Sequence, residues 1–302
     1  MRVVRPPDRS RLPAGEPLYL TIGNFDGFHV GHQAVIAELV SSCGAAGGEP
    51  VAVTFEPHPA VVVASGEPPG LLTPGDEKAE LLGRTDLSEL WIVPFTRETA
   101  ASDARSFLSR IGVGRGSHLV LGYDFHMGKG RAADLSRLSL LGRELGFGLD
   151  VVAPVLWEGR PVSSTRIRRA LLERDPRSAT GMLGRPYRVR GEVVPGDGVG
   201  RSMGIPTANL DLPAAKLLPG DGVYSVSLRG MDGRPGLLYV GTRPTLGPGG
   251  RRAEVHVLEL AADLYGTSME VDVLEFLRED RAFSSVEELA NQIAADVERL
   301  RS

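Results

Sequence analysis

The sequence predicts two domains in series: an α/β domain with a parallel sheet, then a small antiparallel β-barrel that carries a terminal helix. The chain has 302 residues, of which 42% are hydrophobic, and this is enough for two cores. Strand-like runs alternate with helix-length patterns in the first half. Near residue 183 helical patterns become rare and Gly/Pro turns become frequent. We therefore expect domains at residues 1–183 and 184–302.

In the first half, short runs rich in Val, Leu and Ile lie between helical patterns, which indicates a parallel sheet covered on both faces. The predicted strands are Leu18–Ile22, Val51–Phe55, Leu90–Phe95, His118–Leu121 and Leu149–Leu156. The predicted helices are His32–Ser42, Ser102–Ile111 and Leu135–Leu145. Residues 66–75, rich in Pro and Gly, are expected to form a loop. Ligands of such sheets bind beyond the carboxyl ends of the strands.

The second half shows the patterns of a barrel. The predicted strands are Tyr187–Val194, Val223–Leu228, Leu237–Val240, Ala253–Leu260 and Met269–Phe276. In the last of these, apolar residues alternate with Glu270 and Asp272, which is the period of a half-buried strand. Leu289, Ile293 and Val297 repeat every fourth residue and predict the closing helix. Short strands joined by Gly/Pro turns favour an antiparallel barrel.

Charge and composition exclude several classes of protein. The net charge of -4 argues against a nucleic-acid scaffold and a basic membrane-surface protein. No run approaches the roughly 20 apolar residues of a membrane span, and the N-terminus lacks a secretory pattern. We therefore expect a cytoplasmic protein with small-molecule partners. The single cysteine, Cys43, lies on an apolar helical face and is expected to be buried. The six histidines and this cysteine show no zinc-type spacing.

Glycines and histidines cluster after the first predicted strand. Glycine lets a ligand approach the main chain, and a helix starting near Gly31 would offer free N–H groups to a polyphosphate. His29 and His32 can donate to phosphate oxygens as charge develops in a transition state. A histidine near a helix start is also often a simple cap, so this segment alone leaves both interpretations open. The candidate nucleotide-binding residues here are Gly23, Asn24, Phe25, Asp26 and Gly31.

A second polar segment follows a strand-like run and opens a helix. Its hydroxyls can cap that helix while its arginines face an anion. An ordinary capped helix with a solvated basic face is the alternative. Together the two segments supply the donors that adenylyl transfer with pyrophosphate release would need. The candidates are Ser163, Ser164, Thr165, Arg166 and Arg168.

A third segment, residues 196–209, packs glycines before a Pro-Thr-Ala-Asn run. Backbone N–H groups of such a loop can cradle phosphates, and a hydroxyl with an amide oxygen can ligate Mg²⁺. A plain barrel turn is the alternative, and no Gly-Lys-Ser/Thr follows as in a Walker loop. The candidate phosphate-binding residues are Gly196, Gly198, Gly200, Arg201 and Gly204.

These segments resemble those of the bacterial bifunctional riboflavin kinases and FAD synthetases. Three further motifs share the resemblance: Thr54-Phe55-Glu56-Pro57-His58-Pro59, Leu72-Thr73 with Glu77-Lys78, and Leu121-Gly122-Tyr123-Asp124-Phe125. The similarity spans nearly all of the chain. It implies a Rossmann-like nucleotidyltransferase domain of the His-x-Gly-His type followed by a riboflavin kinase barrel. It also implies ATP as co-substrate, Mg²⁺, and riboflavin, FMN and FAD as substrates and products.

The resemblance also implies residue roles. Thr207 and Asn209 would hold Mg²⁺, and Glu254 would be the general base for the riboflavin 5′-hydroxyl. His29 and His32 would bind ATP phosphates during adenylyl transfer to FMN, and Ser164, Thr165 and Arg166 would stabilise the leaving pyrophosphate. The flavin-binding candidates are Asp124, Phe125 and His58.

Three departures from the family pattern leave alternatives open. Val199 stands where an arginine is usual, Ile205 where a phenylalanine is usual, and His126-Met127 replaces Arg-Phe near the flavin. A specialised paralogue with one active module, or one acting on a flavin analogue, is therefore an alternative. A class I aminoacyl-tRNA synthetase fragment is disfavoured because no Lys-Met-Ser-Lys-Ser type loop is present. A catalytically silent flavin-binding protein is a further alternative. The oligomeric state is not predicted.

Overall fold

The chain divides into two units, Met1–Ser163 and Ser164–Ser302, in a computed structural model. The structure describes residues 1–5, 18–196, 206–242, 251–258, 260 and 264–301. Helices α7 and α8, defined below, belong to the second unit, so the structural division precedes the expected boundary at 183/184. That functional boundary stays a prediction.

A six-stranded parallel sheet forms the centre of the first unit. Its strands are β1 Arg2–Val4, β2 Tyr19–Ile22, β3 Pro50–Glu56, β4 Glu89–Pro94, β5 His118–Gly122 and β6 Gly148–Val152. Their order is β1-β4-β3-β2-β5-β6, and every pair is parallel. The order reverses between β2 and β5, and ligands of open α/β sheets bind at this kind of switch point.

Helices cover both faces of this sheet. They are α1 Val30–Ala46, α2 Pro59–Val63, α3 Asp76–Leu82, α4 Arg97–Ala101, α5 Ala104–Arg110 and α6 Leu135–Leu145. Successive strand residues point to opposite faces. In β5, Leu119 packs on the side of the sheet that α5 and α6 cover. Val120 packs on the side that α1 covers, and α1 contains Cys43. Cys43 is buried, as predicted.

The strand predicted at Leu149–Leu156 is shorter than expected. β6 ends at Val152, and Pro154 follows, whose missing N–H cannot join a ladder. Two short antiparallel strands, β7 Leu156–Trp157 and β8 Arg160–Pro161, form a separate hairpin instead. The turn between them places Glu158 and Gly159 in the left-handed region, with φ of 51° and 72°.

A closed antiparallel barrel forms the centre of the second unit. Its strands are β9 Tyr187–Val194, β10 Thr207–Asp211, β11 Gly222–Leu228, β12 Pro235–Gly241, β13 Arg252–Val257 and β14 Ser268–Arg278, in the order β10-β13-β12-β11-β14-β9. The helices of this unit are α7 Ser164–Leu172, α8 Pro176–Leu183 and α9 Val286–Arg301. The predicted fold class is confirmed in both units.

An ion pair ties the terminal helix to the barrel. Asp296 of α9 is 1% exposed, and Arg278 Nε donates to it at 2.9 Å. Gln292 donates to the same carboxylate at 3.0 Å. Among the described residues, no helix is both long enough and apolar enough to cross a membrane.

Candidate active sites

The loop after β2 is held in an unusual backbone conformation. The backbone φ angles of Phe25, Gly27 and Phe28 are 50°, 80° and 38°, values that residues other than glycine rarely adopt. Asp26, 3% exposed, accepts hydrogen bonds from the Leu72 and Thr73 backbone N–H groups at 3.1 and 3.0 Å. Such strain persists only where the surroundings enforce it, and it concentrates at functional sites. Asp26 therefore fixes the loop, and its predicted role in nucleotide binding stays a prediction.

Two glycines in this loop make room for rings. A Cβ at Gly23 would lie 2.9 Å from the Phe25 ring, and one at Gly31 would lie 3.1 Å from the His29 ring. Asn24 is exposed, and its backbone carbonyl accepts a hydrogen bond from the Thr54 hydroxyl at 3.2 Å. The glycines of the motif thus position the aromatic and imidazole rings.

The two histidines form a stacked pair at the start of α1. His29 is the N-cap, and its Nδ1 accepts the His32 backbone N–H at 3.3 Å. The ring centroids lie 3.6 Å apart with an interplanar angle of 15°, and the Phe25 ring meets His32 edge-on. His32 Nδ1 is buried and has no hydrogen-bond partner among the described residues. The motif therefore contains both features: His29 caps the helix, and His32 has the nitrogen without a partner among the described residues.

Burial disfavours the protonated form of His32. It lowers the pKa of His32 well below the usual range, and the charges of His29 and Lys78 lower it further. A neutral imidazole offers one N–H donor and one acceptor nitrogen. An incoming anion would reverse this balance, because a nearby negative charge favours the protonated ring.

Sequence reasoning missed Lys78 as a site residue. The Lys78 ammonium, on α3, donates to Thr54 Oγ1 at 3.0 Å and to the Phe55 carbonyl at 3.3 Å. Burial lowers the pKa of Lys78, while the charges of Asp26 and Glu56 oppose that shift. Two signals were available in the sequence: Thr54 is a polar residue in an apolar strand, and Lys78 belongs to a motif of the resemblance.

The loop after β5 contains the predicted flavin residues Asp124 and Phe125. Asp124 is exposed, whereas Phe125 is partly buried and packs against the core. His126 Nδ1 lies 2.7 Å from the Asp124 carbonyl oxygen and 3.2 Å from Arg131 Nη2. The guanidinium of Arg131 therefore brings a permanent positive charge to the position where the chain has histidine.

His58 follows β3, at the same edge of the sheet. It is the N-cap of α2, and its Nδ1 accepts the Ala60 backbone N–H at 3.1 Å. His58 therefore has a structural role as the cap of α2. Its role in flavin binding, like the roles of Asp124 and Phe125, stays a prediction.

The segment Ser163–Arg168 leads into α7. Ser163 ends the first unit, and Ser164, Thr165, Arg166 and Arg168 lie in α7 of the second unit. Ile167, between the arginines, is buried. Their predicted contacts with a nucleotide stay predictions.

In the barrel, β10 and β13 bring the predicted kinase residues together. Asn209 lies directly opposite Glu254 in the antiparallel register, and Thr207 Oγ1 donates to Glu254 Oε2 at 3.4 Å. Glu254 is 4% exposed. A Cβ at Gly196 would lie 2.0 Å from Asn209 Nδ2, so glycine at 196 makes space for the Asn209 amide. The structure thus places one carboxylate, one hydroxyl and one amide side by side.

Several predicted residues of the glycine-rich loop lie outside the described part of the chain: Gly198, Val199, Gly200, Arg201, Gly204 and Ile205. Their roles stay predictions. Within the described residues, no group of three or more His, Cys, Asp or Glu could hold a metal ion. The Thr207 and Asn209 oxygens belong to a different donor class, which suits a hard cation.

Family models of known proteins match both halves of the chain. The family model for FAD synthetase matches residues 13–166, and that for riboflavin kinase matches residues 183–302. A solved protein from Streptococcus pneumoniae, described as a macrolide-efflux protein, has a TM-score of 0.88 and 27% identity, and covers 100% of this chain and 99% of its own.

Curated relatives cover almost the whole chain. A bifunctional riboflavin kinase/FMN adenylyltransferase of Escherichia coli K12 is 38% identical over 93% of this chain and 91% of its own length. Proteins of the same description from Pseudomonas fluorescens and Bacillus subtilis are 38% and 30% identical, over 93% and 92% of this chain and 91% and 89% of their own lengths. The chain therefore belongs to the family of bifunctional riboflavin kinases and FMN adenylyltransferases.

Proposed function

We propose that the barrel unit phosphorylates riboflavin with ATP and that the first unit adenylylates the resulting FMN with a second ATP. The observation that carries this proposal is the register of β10 and β13, which sets Glu254 opposite Asn209 and beside Thr207. A carboxylate, a hydroxyl and an amide in this arrangement suit phosphoryl transfer, because positioning and charge stabilisation supply most of the catalysis in that reaction. The same substrates favour a cytoplasmic location, where ATP is supplied.

In the kinase step, Glu254 would accept the proton of the riboflavin 5′-hydroxyl. The hydroxyl oxygen would form a bond to the γ-phosphorus of ATP while the bond from that phosphorus to the β-bridging oxygen breaks, which yields FMN and ADP. A general base must lie within hydrogen-bond reach of the proton that it accepts. The barrel holds Glu254 on a strand paired on both sides, so its carboxylate has a fixed direction.

The oxygen donors of the barrel fit Mg²⁺. We assign Thr207 Oγ1 and the Asn209 amide oxygen as the protein groups that would hold it, because Mg²⁺ prefers oxygen ligands. The ion, when bound, would neutralise charge on the transferring phosphate oxygens. Gly196 supports this assignment, because only a residue without Cβ leaves space for the Asn209 amide.

In the adenylyl step, a phosphate oxygen of FMN would form a bond to the α-phosphorus of ATP. The bond from that phosphorus to the β-phosphate oxygen breaks, and pyrophosphate leaves. His29 and His32 would donate to the phosphate oxygens as negative charge builds up, so no covalent intermediate is needed. Ser164, Thr165 and Arg166 are candidates for stabilising pyrophosphate, an assignment that rests on their motif.

A specialised paralogue with one active module, or one acting on a flavin analogue, is the second candidate. The observation that favours it is His126 in the loop predicted to lie near the flavin. The contact between Arg131 and His126 weakens this alternative, because it leaves a permanent cation in that loop. We therefore retain both reactions on flavin as the leading proposal.

Product analysis tests the proposal. Purified protein would be given riboflavin, ATP and Mg²⁺, with a parallel reaction started from FMN, and products would be separated by chromatography. FAD from both reactions is the expected result. FAD from FMN only would indicate a silent kinase module, and no product from either would favour another flavin-like substrate or a regulatory protein.

A further inference from the structure

We propose that Lys78 is a third phosphate-binding group of the first unit, which takes the polyphosphate of ATP and the pyrophosphate that leaves. This inference deepens the proposed adenylyl transfer and rests on it. It starts from an imbalance in the contacts of the Lys78 ammonium. Lys78 would act in addition to His29 and His32.

The chain uses lysine sparingly. Only Lys78, Lys129 and Lys216 are lysines among its 34 basic residues. Lys129 is exposed, and Lys216 is buried with its ammonium 4.8 Å from the centre of the Tyr187 ring. Lysine differs from arginine as a compact point charge that can be desolvated on a flexible stem. At position 78 the chain therefore presents a compact ammonium and not a planar guanidinium.

The half-buried ammonium of Lys78 has two acceptors among the described residues. It carries three N–H donors, and Thr54 Oγ1 and the Phe55 carbonyl accept two of them. No carboxylate oxygen among the described residues lies within 4.0 Å of its Nζ. Burying a charge is costly unless it is paired. The remaining donor and the missing counter-charge are what an anionic ligand would supply.

The nearest acidic groups are engaged elsewhere. Asp26 accepts backbone hydrogen bonds from Leu72 and Thr73, and Glu56 pairs with Arg5 at 3.2 Å. Both carboxylates stabilise the charge of Lys78 from a distance. Neither contacts it directly, so a direct position at the ammonium is left for a ligand oxygen.

Lys78 acts on the same loop as the histidine pair. The Thr54 hydroxyl that accepts from Lys78 donates to the Asn24 carbonyl at 3.2 Å, in the loop leading to His29. The charge of Lys78 also acts on His32, whose buried Nδ1 has no partner in the part of the chain that the structure describes. A half-buried cation and an imidazole nitrogen without a partner among the described residues therefore act on one another at one edge of the sheet. Phosphate oxygens can accept from both groups.

A structural role is the competing explanation, because Lys78 also ties α3 to β3. This role predicts that removing the Thr54 hydroxyl harms the protein as much as removing the ammonium. The phosphate-binding role predicts that the charge matters more. The variants Lys78→Met and Thr54→Val separate these two outcomes.

Chemical labelling of the unaltered protein gives a readout besides activity. Each lysine would be traced by limited acetylation and mass spectrometry, with and without inorganic pyrophosphate and Mg²⁺. We expect pyrophosphate to slow the acetylation of Lys78 several-fold and to leave that of exposed Lys129 unchanged. Equal slowing of both lysines, or none at Lys78, would overturn the proposal even if FAD synthesis proceeds normally.

Variants provide the second test. Lys78→Met should lower kcat/KM for ATP in FAD formation from FMN by about 10- to 100-fold, the effect of losing a hydrogen bond from a charged group. Arg84→Met, which removes an exposed charge just beyond α3, should not change it. Fluorescence of Trp91 and Trp157, which both lie in the first unit, reports whether that unit of the variant folds. FMN formation from riboflavin should not change either.

The results also distinguish this inference from the proposed function. Thr54→Val with a loss as large as that of Lys78→Met would assign Lys78 a structural role. A wild-type protein that makes no FAD would contradict the adenylyl transfer itself. Pyrophosphate protection in that protein would still support Lys78 as an anion-binding group, and its absence would contradict it.

Discussion

The two candidate sites differ in what holds their functional groups in place. In the first unit, the loop after β2 and the first turns of α1 and α3 position His29, His32 and Lys78. In the barrel, two paired strands position Glu254 and Asn209 through their register. A register fixes side chains through many backbone hydrogen bonds, whereas a loop needs its own supporting contacts, such as those of Asp26. The first site should therefore tolerate less change in its surroundings.

The chemistry of the sites differs as well. The first site combines a half-buried cation with an imidazole whose buried Nδ1 has no partner among the described residues, which suits a ligand that brings negative charge. The barrel site centres on a buried carboxylate, which suits a proton acceptor. The proposed general base thus lies in the barrel, and the candidate cation and imidazole donors of adenylyl transfer lie in the first unit. The following predictions test this division.

The largest expected effect is that of Glu254→Gln. Loss of a general base should lower kcat for FMN formation by about 10²- to 10⁴-fold. Conversion of FMN to FAD should stay within a few-fold of normal, as measured by chromatography from separate substrates. Glu192→Gln, at an exposed position of β9, serves as control. Loss of both activities would contradict the separation of the two sites.

His32→Ala should have the opposite pattern. Removing a donor to the developing charge should lower FAD formation from FMN by about 10²-fold. Riboflavin phosphorylation measured in the same preparation should not change. His118→Gln, on a strand distant in sequence from the His-x-Gly-His motif, is the matched histidine variant. Unchanged FAD synthesis in His32→Ala would remove this histidine from the mechanism.

Gly196→Ala tests how the barrel site depends on space. The added Cβ would displace the Asn209 amide, because the two would lie 2.0 Å apart. We expect the Mg²⁺ concentration needed for half-maximal FMN formation to rise about tenfold, which corresponds to loss of about one hydrogen-bond equivalent. Gly114→Ala, where the added Cβ meets no atom within 4 Å, is the control. An unchanged Mg²⁺ dependence would separate Asn209 from the metal.

How far the sequence predicts each site depends on the range of the interactions that form it. The helix Leu135–Leu145 was predicted to the residue, since its periodicity is local and Asp134 and Gly146 cap it. Strand β10 was missed, because its polar residues form a strand only by pairing with β9 and β13. Strand β1, three residues at the sheet edge, was missed for the same reason.

The site residues follow the same rule. His29 and His32 could be predicted because one short motif contains both. Lys78 belongs to a motif of the resemblance but was not chosen as a site residue, since its contacts are with Thr54 and Phe55, 24 and 23 residues earlier in the chain. Asp26 was predicted to bind nucleotide from its motif, but its observed backbone contacts are with residues 46 and 47 positions later. Tertiary contacts thus redistribute roles within a motif that the sequence identifies correctly.

The smallest expected effect concerns stability and pH, and it compares the wild type with His32→Gln. Burial lowers the pKa of His32 in the folded protein below its value of about 6.5 in an unfolded chain. Below that value the unfolded chain binds the extra proton, so this contribution to the free energy of unfolding is fully present above about pH 6.5 and is lost as the pH falls. The wild type should lose at most about 1.4 kcal/mol per pH unit more than the variant.

Denaturant titrations followed by tryptophan fluorescence measure this difference in the first unit, because Trp91 and Trp157, the two tryptophans of the chain, both lie there. Lys78 and His29 face His32 and contribute to its low pKa, so their charges must stay unaltered in the comparison. Parallel curves for wild type and variant between pH 5 and 7 would show that His32 is not buried as a neutral ring. An anion would then not be needed to restore charge balance at this site, while the barrel site would be unaffected.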